Sequence, residues 1–350
     1  MDKQRYARQL SLDSIGVVGQ EKLLAATVAI VGCGGLGAIA AMYLAAGGIG
    51  HLILIDGDYP DVSNLHRQVF FTPSKTVGKA QQLSDRIETL NPDVEVVTQS
   101  VMLSKQNIAE VIAGAELVLE CTDSVYAKYL VNDYCHLHRI PVAYAALHKE
   151  EGYASFFKNA SDDDIHLRDV FPIPDNKIPT CAEVGVMNTL AGIMGLIQAS
   201  EAIKWLISGR SSLVGRLLIQ NVSDYKQLNM SLKKSWNKPL GEVWQSESYV
   251  DPRMCAVPDI GYDELLENRE RYHIVSILET KDHVSIFPEV EHLPLSQFDI
   301  YDWEPEGEKP VVFYCSLGRK SMHVVMQLLE DDPELEVLSM KGGLNGIKKG

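Results

Sequence analysis

The chain lacks several features that mark large classes of protein. Its six cysteines form no C-x-x-C pair, and the sequence contains no internal repeat and no low-complexity tract. The first ten residues are charged and have no apolar core, so they do not resemble a signal peptide. Basic residues are few, with 32 lysines and arginines against 47 aspartates and glutamates and a net charge of -15. These features favour a cytoplasmic protein with free thiols, and they disfavour general binding to nucleic acid or to a membrane surface.

Long uncharged stretches are also informative. Leu23–Ile55 contains no Asp, Glu, Lys or Arg, so hydropathy alone could assign it to a membrane. Its clustered glycines and β-branched start argue against one continuous helix, and we expect no membrane span. With 350 residues, of which 46% are hydrophobic, the chain has a globular composition and is long enough for two domains.

A glycine-rich turn lies between two apolar segments. Thr27–Val31 is typical of a strand buried in a parallel sheet, and His51–Ile55 is a second such strand. Between them lie helix formers preceded by a G-x-G-x-x-G pattern with one extra glycine; its members are Gly32, Gly34, Gly35 and Gly37. Strand, turn, helix and strand in this order predict a nucleotide-binding unit, in which helix N–H groups point at phosphate. Asp56 follows Gly37 by 19 residues, a spacing that suits a ribose-binding carboxylate.

Charged residues cluster after this unit. Arg67, Gln68 and Lys79 follow the second strand, and Arg8 is a further candidate from the N-terminus. Several cations suit a triphosphate with a departing pyrophosphate better than a dinucleotide. Asp58 and Asp123 are placed, like Asp56, at or just past strand ends, where carboxylates could hold ribose or Mg²⁺. An ordinary NAD-binding domain remains an alternative, and so do solvated surface ion pairs for each cation taken alone.

Seven ordered motifs resemble those of the MoeB/ThiF/HesA adenylyltransferases, relatives of the ubiquitin-activating enzymes. They are R-Y-A-R-Q, G-C-G-G-L-G, D-G-D, S-N-L-H-R-Q, V-G-K, C-T-D and P-T-C-A-E-V-G-V, within about residues 3–235. The resemblance implies a homodimer that uses ATP and Mg²⁺ to adenylate the C-terminal Gly-Gly end of a ubiquitin-like sulfur carrier. Such carriers serve thiamine or molybdopterin synthesis or tRNA thiolation.

The resemblance also implies roles for residues. Arg67, Lys79, Asp123 and, from the partner subunit, Arg8 would be catalytic, with Mg²⁺ on Asp123. The implied nucleotide-binding residues are Gly32, Gly34, Gly35, Gly37, Asp56, Asp58, Asn64, Arg67, Gln68 and Lys79. Cys181 would take up the activated carrier or its sulfur, or else be a buried core thiol. The family's zinc-binding C-x-x-C pairs are replaced by His166-Leu-Arg-Asp169 and by a thiol-free segment near Ser235–Leu240, so we predict no structural zinc.

A second α/β pattern follows residue 258. Cys315-Ser-Leu-Gly-Arg-Lys-Ser321 comes between an apolar strand and a helix, where backbone N–H groups can stabilise a thiolate or persulfide. This loop and Gly342-Gly343-Leu344 resemble a rhodanese domain, in which Cys315 would be catalytic and a cysteine desulfurase a possible sulfur donor. Lys320 stands where that loop usually ends in arginine, so a degenerate domain that only docks the carrier remains an alternative.

The sequence therefore predicts an α/β protein with a Rossmann-like doubly wound sheet of the ubiquitin-activating type and a small rhodanese-like domain. The predicted ranges are 1–243 for the adenylyltransferase domain, 244–258 for a linker and 259–350 for the second domain. Alternatives are an adenylating enzyme for another carboxylate or for tRNA, an NAD-dependent oxidoreductase, and a non-catalytic carrier-binding scaffold.

Overall fold

The structure of the chain is a computed structural model, in which we describe residues 3–74, 76–174, 185–250, 257–279, 286–298, 303–305, 307 and 309–347. The chain divides into two compact units, Met1–Tyr249 and Val250–Gly350. The first unit thus continues past residue 243, where the sequence places the end of the first domain. The reason is local: Tyr249 is buried in the core of this unit, and its ring packs at a tilt against Trp244, with ring centroids 5.3 Å apart.

Strands of the first unit form one eight-stranded sheet within the part of the chain described here. They are β1 (Thr27–Val31), β2 (His51–Ile55), β3 (Glu95–Gln99), β4 (Leu117–Glu120), β5 (Val142–His148), β6 (Glu151–Phe157), β7 (Arg216–Asn221) and β8 (Gln227–Ser231). The order is β3-β2-β1-β4-β5-β6-β7-β8, parallel as far as β5 and antiparallel from there on. The chain runs outward from β1 to β3 and then returns to place β4 beside β1. This switch point is where open α/β sheets bind ligands.

Helices cover the sheet because its central strands are apolar on both faces. The helices among the described residues of the first unit are α1 (Ala7–Leu10), α2 (Gly16–Ala25), α3 (Gly35–Ala46), α4 (Lys79–Leu90), α5 (Ile108–Val111), α6 (Val125–Leu137), α7 (Leu167–Val170), α8 (Asn188–Ser208) and α9 (Leu240–Ser246). The predicted strand–helix–strand unit is therefore present as β1, α3 and β2, and Leu23–Ile55 is not one continuous helix. This architecture confirms the predicted fold class.

Helix α8 carries no charged residue before Glu201, and it packs on α3 and on strands β5 and β6. Among the described residues, this helix is long and apolar enough to cross a membrane by length and composition. Its buried residues include Leu190, Met194 and Gln198, and they face the sheet. We therefore interpret α8 as a helix of the core.

The second unit is a smaller parallel sheet with the order β11-β10-β12-β13-β9. The α-helices and strands among its described residues are β9 (Asp259–Ile260), α10 (Tyr262–Glu267), β10 (His273–Ser276), β11 (Glu291–His292), β12 (Val311–Tyr314), α11 (Arg319–Asp331) and β13 (Val337–Met340). The central strand β12 is fully buried, and the loop that carries Cys315 follows its last residue. That loop leads directly into α11.

Candidate active site

A cleft of about 850 Å³ opens at the carboxyl ends of β1, β2 and β4 in the first unit. Its position follows from the topology, because the switch point leaves a crevice between β1 and β4. The predicted residues that line it are Gly32, Gly34, Gly35, Asp56, Asp58, Arg67, Gln68, Lys79 and Asp123. Residues that lie far apart in sequence are thus brought together at one edge of the sheet.

The glycine turn is shaped by close backbone contacts. Gly32 has a φ of +89°, and a Cβ placed on it would lie 2.9 Å from the Cys121 carbonyl carbon. Any larger residue would therefore push apart the turns that follow β1 and β4. Gly34 and Gly35 come next and form the start of α3, whose first turn lines the cleft. An anion in the cleft would meet main-chain N–H groups there.

Asp56 forms a hydrogen bond with the backbone of this turn. One carboxylate oxygen accepts a hydrogen bond from the Cys33 N–H and the other accepts one from the Asp58 N–H, each at 2.8 Å. Burial raises the pKa of Asp56, and the attraction of Lys79 opposes that rise. Each oxygen keeps a further lone pair, so the carboxylate can still accept hydrogen bonds from ribose hydroxyls.

Lys79 is the buried cation of the cleft. It begins α4, its side chain is 8% exposed, and its Nζ lies 3.4 Å from Asp58 Oδ2. Burial alone would lower the pKa of Lys79, but the carboxylates of Asp56, Asp58 and Asp123 outweigh burial and raise it. The lysine is therefore held as a cation between acidic groups. A phosphate that entered the cleft would meet a fixed positive charge.

Arg67 and Gln68 also line the cleft. Asn64 Oδ1 accepts a hydrogen bond of 2.8 Å from the Arg67 guanidinium. Asn64 is not among the lining residues, so its place in the structure is that of a support for Arg67. Gln68 is 5% exposed, and its Oε1 has no hydrogen-bond partner among the described residues. A buried amide oxygen without a partner is costly, which favours a ligand donor at this position.

Three other predicted residues, Gly37, Arg8 and Cys315, do not line the cleft. Gly37 lies behind it, where a Cβ would lie only 1.9 Å from the Gly32 carbonyl oxygen. Arg8 is exposed on α1. Cys181 lies outside the described residues, and Cys315 belongs to the second unit.

Two charged residues at the cleft, Lys128 and Glu120, were not predicted from the sequence. Lys128 of α6 lines the cleft, and its Nζ lies 2.5 Å from the buried carboxylate of Glu120 at the end of β4. Burial raises the pKa of Glu120, and the adjacent Lys128 opposes that rise. A charged residue that ends an otherwise apolar strand, with a lysine on the following helix, was the available signal.

Two segments stand where the family has its zinc-binding cysteine pairs, and the carboxylate of Asp169 forms hydrogen bonds with both of them. Asp169 is buried, and its Oδ1 accepts hydrogen bonds from the Ser235 and Trp236 N–H groups at 2.7 and 2.8 Å. Its Oδ2 accepts one from the His166 N–H at 2.9 Å, and Lys234 Nζ lies 3.5 Å away. Burial alone would raise the pKa of Asp169, but these N–H groups lower it. The carboxylate oxygens are thus already engaged, so this site does not fit zinc.

Replacement of Asp169 by asparagine is expected to lower the free energy of unfolding by about 2–3 kcal/mol, because a neutral amide loses the charge-assisted bonds and its NH₂ group opposes a donor. Thermal unfolding of the variant and of wild type measures the loss. Asp162→Asn is the matched control, since Asp162 is 84% exposed in an ion pair with Arg139 and should leave the midpoint almost unchanged. A wild-type midpoint that falls on addition of a zinc chelator would contradict this account.

The loop after β12 in the second unit begins with a buried thiol. Cys315 is 4% exposed, and its Sγ lies 3.6 Å from the hydroxyl of Ser321 on α11. The Cys315 carbonyl accepts a hydrogen bond from the Leu344 N–H at 3.0 Å. Gly343 comes so close that a Cβ on it would lie 2.1 Å from that carbonyl oxygen. The glycine-rich end of the chain therefore packs on the cysteine loop.

Comparison with known proteins agrees with this geometry. Residues 6–239 match the profile of the ThiF family. A SAMP-activating enzyme E1 of Haloferax volcanii is 39% identical over 63% of this chain and 82% of its own length. An adenylyltransferase and sulfurtransferase UBA4 of Yarrowia lipolytica is 31% identical over 93% of this chain and 88% of its own. A crystal structure of PaaA has 25% identity and a TM-score of 0.57 over 66% of this chain and 74% of its own. The chain belongs to the ThiF family.

Proposed function

We infer that the first unit uses ATP to adenylate the C-terminal carboxylate of a ubiquitin-like sulfur carrier, and that the second unit supplies sulfur to the product. The observation that carries the inference is the single cleft that combines a glycine turn, Asp56, and the cations Arg67 and Lys79. The relatives support it, because the UBA4 enzyme is named for both adenylyl transfer and sulfur transfer and aligns with both units.

The cleft offers binding groups for both the phosphates and the ribose of ATP. The glycine turn would bind phosphate through its N–H groups, and Asp56 would accept hydrogen bonds from the ribose hydroxyls. A carboxylate oxygen of the carrier attacks the α-phosphorus, and the bond from that phosphorus to the bridging oxygen of the β-phosphate breaks. Pyrophosphate leaves with the electron pair, so negative charge grows on it. Arg67 and Lys79 stabilise that charge, and no protein nucleophile is needed.

Asp123 suits a magnesium ion bound together with the triphosphate. It is exposed at the mouth of the cleft, and within the described part of the chain no side chain forms a hydrogen bond with its carboxylate. Mg²⁺ binds through one or two carboxylates plus phosphate oxygens and water, so one carboxylate is sufficient. When bound, the ion would neutralise charge on the phosphates. Asp123 would hold it and, with Lys79, orient the phosphates.

Sulfur transfer would begin with a persulfide on Cys315, charged by a cysteine desulfurase. The terminal sulfur attacks the acyl carbon of the carrier adenylate, and AMP leaves with the electron pair. The product is an acyl disulfide between the carrier and Cys315. A second thiol, for which Cys181 is the candidate, then attacks the Cys315 sulfur, releases the carrier thiocarboxylate and forms a disulfide with Cys315.

We further propose a homodimer in which Arg8 completes the cleft of the partner subunit. Arg8 is exposed on α1 and does not line the cleft of its own chain. Large apolar side chains are exposed nearby in sequence and on the neighbouring helices α2 and α3: Leu12, Val17, Val18 and Tyr43. Such side chains are typical of a surface that a second copy covers.

Mixing two inactive variants tests the dimer. Arg8→Ala and Lys79→Ala should each lack activity alone, because each damages every site of its own dimer. After subunit exchange, about half of the dimers are mixed, and each mixed dimer has one intact site, so activity should return to about a quarter of wild type. Exchange activity after unfolding and refolding the mixture measures this recovery. No recovery, with mixed dimers shown to form, would place Arg8 in its own cleft or outside the reaction.

Exchange of labelled pyrophosphate into ATP tests the adenylation itself. The wild-type chain should catalyse exchange only with a purified ubiquitin-like carrier that ends in Gly-Gly, and Arg67→Ala should abolish it. Exchange that depends on tRNA or a free carboxylate would point to a related adenylating enzyme. ATP-free oxidation of a substrate with NAD would point to an oxidoreductase, and carrier binding without any ATP turnover to a scaffold.

A further inference from the structure

The turn that carries Asp123 is held by a buried carboxylate from the preceding strand. Glu120 is 1% exposed, and its Oε1 accepts hydrogen bonds from the Thr122 N–H at 2.9 Å and from the Thr122 hydroxyl at 2.5 Å. Its other oxygen accepts a bond of 2.5 Å from Lys128. One carboxylate therefore fixes both the backbone and the side chain of the residue next to Asp123.

Lys128, on helix α6, forms hydrogen bonds with the same turn. Besides Glu120, its Nζ donates to the Thr122 carbonyl at 2.7 Å and to the Ala145 carbonyl at 3.0 Å. An ammonium group has three protons, so all three are engaged within the protein. Lys128 thus differs from Lys79, which has a carboxylate partner only at 3.4 Å. Although both lysines line the cleft, only Lys79 is available as a cation for phosphate.

The turn also touches the glycine loop. The Cys121 carbonyl lies against Gly32, and Gln198 of α8 donates to the Glu120 carbonyl at 2.8 Å. Because strand β4 is anchored in this way, a shift of the Thr122 carbonyl would move Asp123 and press on Gly32. The Glu120–Lys128 pair therefore helps to fix the positions of both Asp123 and the glycine turn in the proposed phosphate site.

We propose that Glu120 and Lys128 are positioning residues for adenylyl transfer, which set the place of Asp123 opposite Lys79 without contacting ATP. This inference rests on the proposed function and names residues that the resemblance did not. A displacement of about 1 Å at a group that orients phosphates lowers the rate by as much as about 100-fold. The pair should therefore affect kcat more than ATP binding.

A double-mutant cycle with Asp123 tests whether Lys128 acts through it. Lys128→Met should lower the kcat of exchange about 10- to 100-fold with KM for ATP within about threefold of wild type, and Lys128→Arg should recover most of the loss. Asp123→Asn combined with Lys128→Met should be no more than about threefold slower than Asp123→Asn alone. Losses that multiply, or a KM that rises as far as kcat falls, would overturn the proposal.

Hydrogen–deuterium exchange gives a readout that does not need activity. Backbone amides of residues 121–124 should exchange faster in Lys128→Met than in wild type. The control is Lys158→Met, since Lys158 pairs with Asp164 at 2.8 Å and does not line the cleft. Glu120→Gln with Lys128→Met removes both charges and replaces the single variant if that variant does not fold.

These readouts distinguish a failure of the positioning role from a failure of the proposed function. If wild type shows no pyrophosphate exchange with any carrier, the proposed function fails and the role of the pair in adenylyl transfer fails with it, whereas faster amide exchange would show only that the pair holds the turn. If wild type is active, unchanged amide exchange in Lys128→Met, or a wild-type kcat in that variant, would overturn the positioning role and leave the proposed function standing.

Discussion

Replacement of Lys79 by methionine is expected to lower the kcat of carrier-dependent pyrophosphate exchange about 1000-fold, because the buried cation that faces the departing phosphates is lost. Lys79 Nζ lies against Asp58, and Asp56 and Asp123 add to the negative charge around it. Without the lysine, these carboxylates would repel the triphosphate, so KM for ATP should rise as well. Steady-state exchange at varied ATP concentration measures both constants.

The matched control is Lys226→Met, since Lys226 is 85% exposed in an ion pair with Asp224 and lies outside the cleft. It should exchange at the wild-type rate. Thermal unfolding shows whether the Lys79 variant is folded. A folded Lys79→Met protein with wild-type kcat would remove this lysine from the reaction and with it the assignment of the triphosphate to this cleft.

Replacement of Cys315 by serine is expected to abolish thiocarboxylate formation on the carrier and to leave pyrophosphate exchange unchanged. A serine hydroxyl cannot carry a sulfane sulfur, and the thiol belongs to the second unit, whereas the adenylation cleft belongs to the first. Mass spectrometry of the carrier after incubation with ATP, cysteine and a cysteine desulfurase measures the thiocarboxylate.

Exchange activity in the same variant is the internal control. Ser316→Ala, in the same loop, keeps the thiol and should retain sulfur transfer. A Cys315→Ser protein that still forms thiocarboxylate at the wild-type rate would show that sulfur enters by another thiol. The second unit would then be a degenerate domain that only docks the carrier, which is the alternative suggested by Lys320 in place of the usual arginine.

The sequence predicted the nucleotide unit well because local signals and global fold agree there. Thr27–Val31, the glycines and His51–Ile55 form β1, the turn and β2 within one residue of the predicted bounds. The helix Val125–Leu137 was not predicted, and the reason is its composition. It mixes β-branched and aromatic residues with the buried polar groups Lys128, Asn132 and Asp133, so no regular apolar face is visible.

The site was predictable only where a residue type implies its chemistry. Arg67 and Lys79 were found because cations near a glycine turn suggest phosphate. Glu120 and Lys128 were missed because the helix that carries Lys128 was not predicted, so the lysine could not be placed beside the glutamate that ends β4. Likewise, the loss of the C-x-x-C pairs was visible, but the bonds that Asp169 makes instead follow only from the fold.

Intact mass spectrometry of the carrier is the most direct test of the central claim. The wild-type chain is incubated with ATP, Mg²⁺ and a ubiquitin-like carrier that ends in Gly-Gly, and the reaction is stopped in acid. We expect one AMP on the C-terminal glycine of the carrier, one pyrophosphate released for each AMP attached, and neither product with a carrier that lacks this glycine. ADP and phosphate in place of AMP and pyrophosphate, or AMP attached to tRNA while the carrier stays unmodified, would contradict this claim.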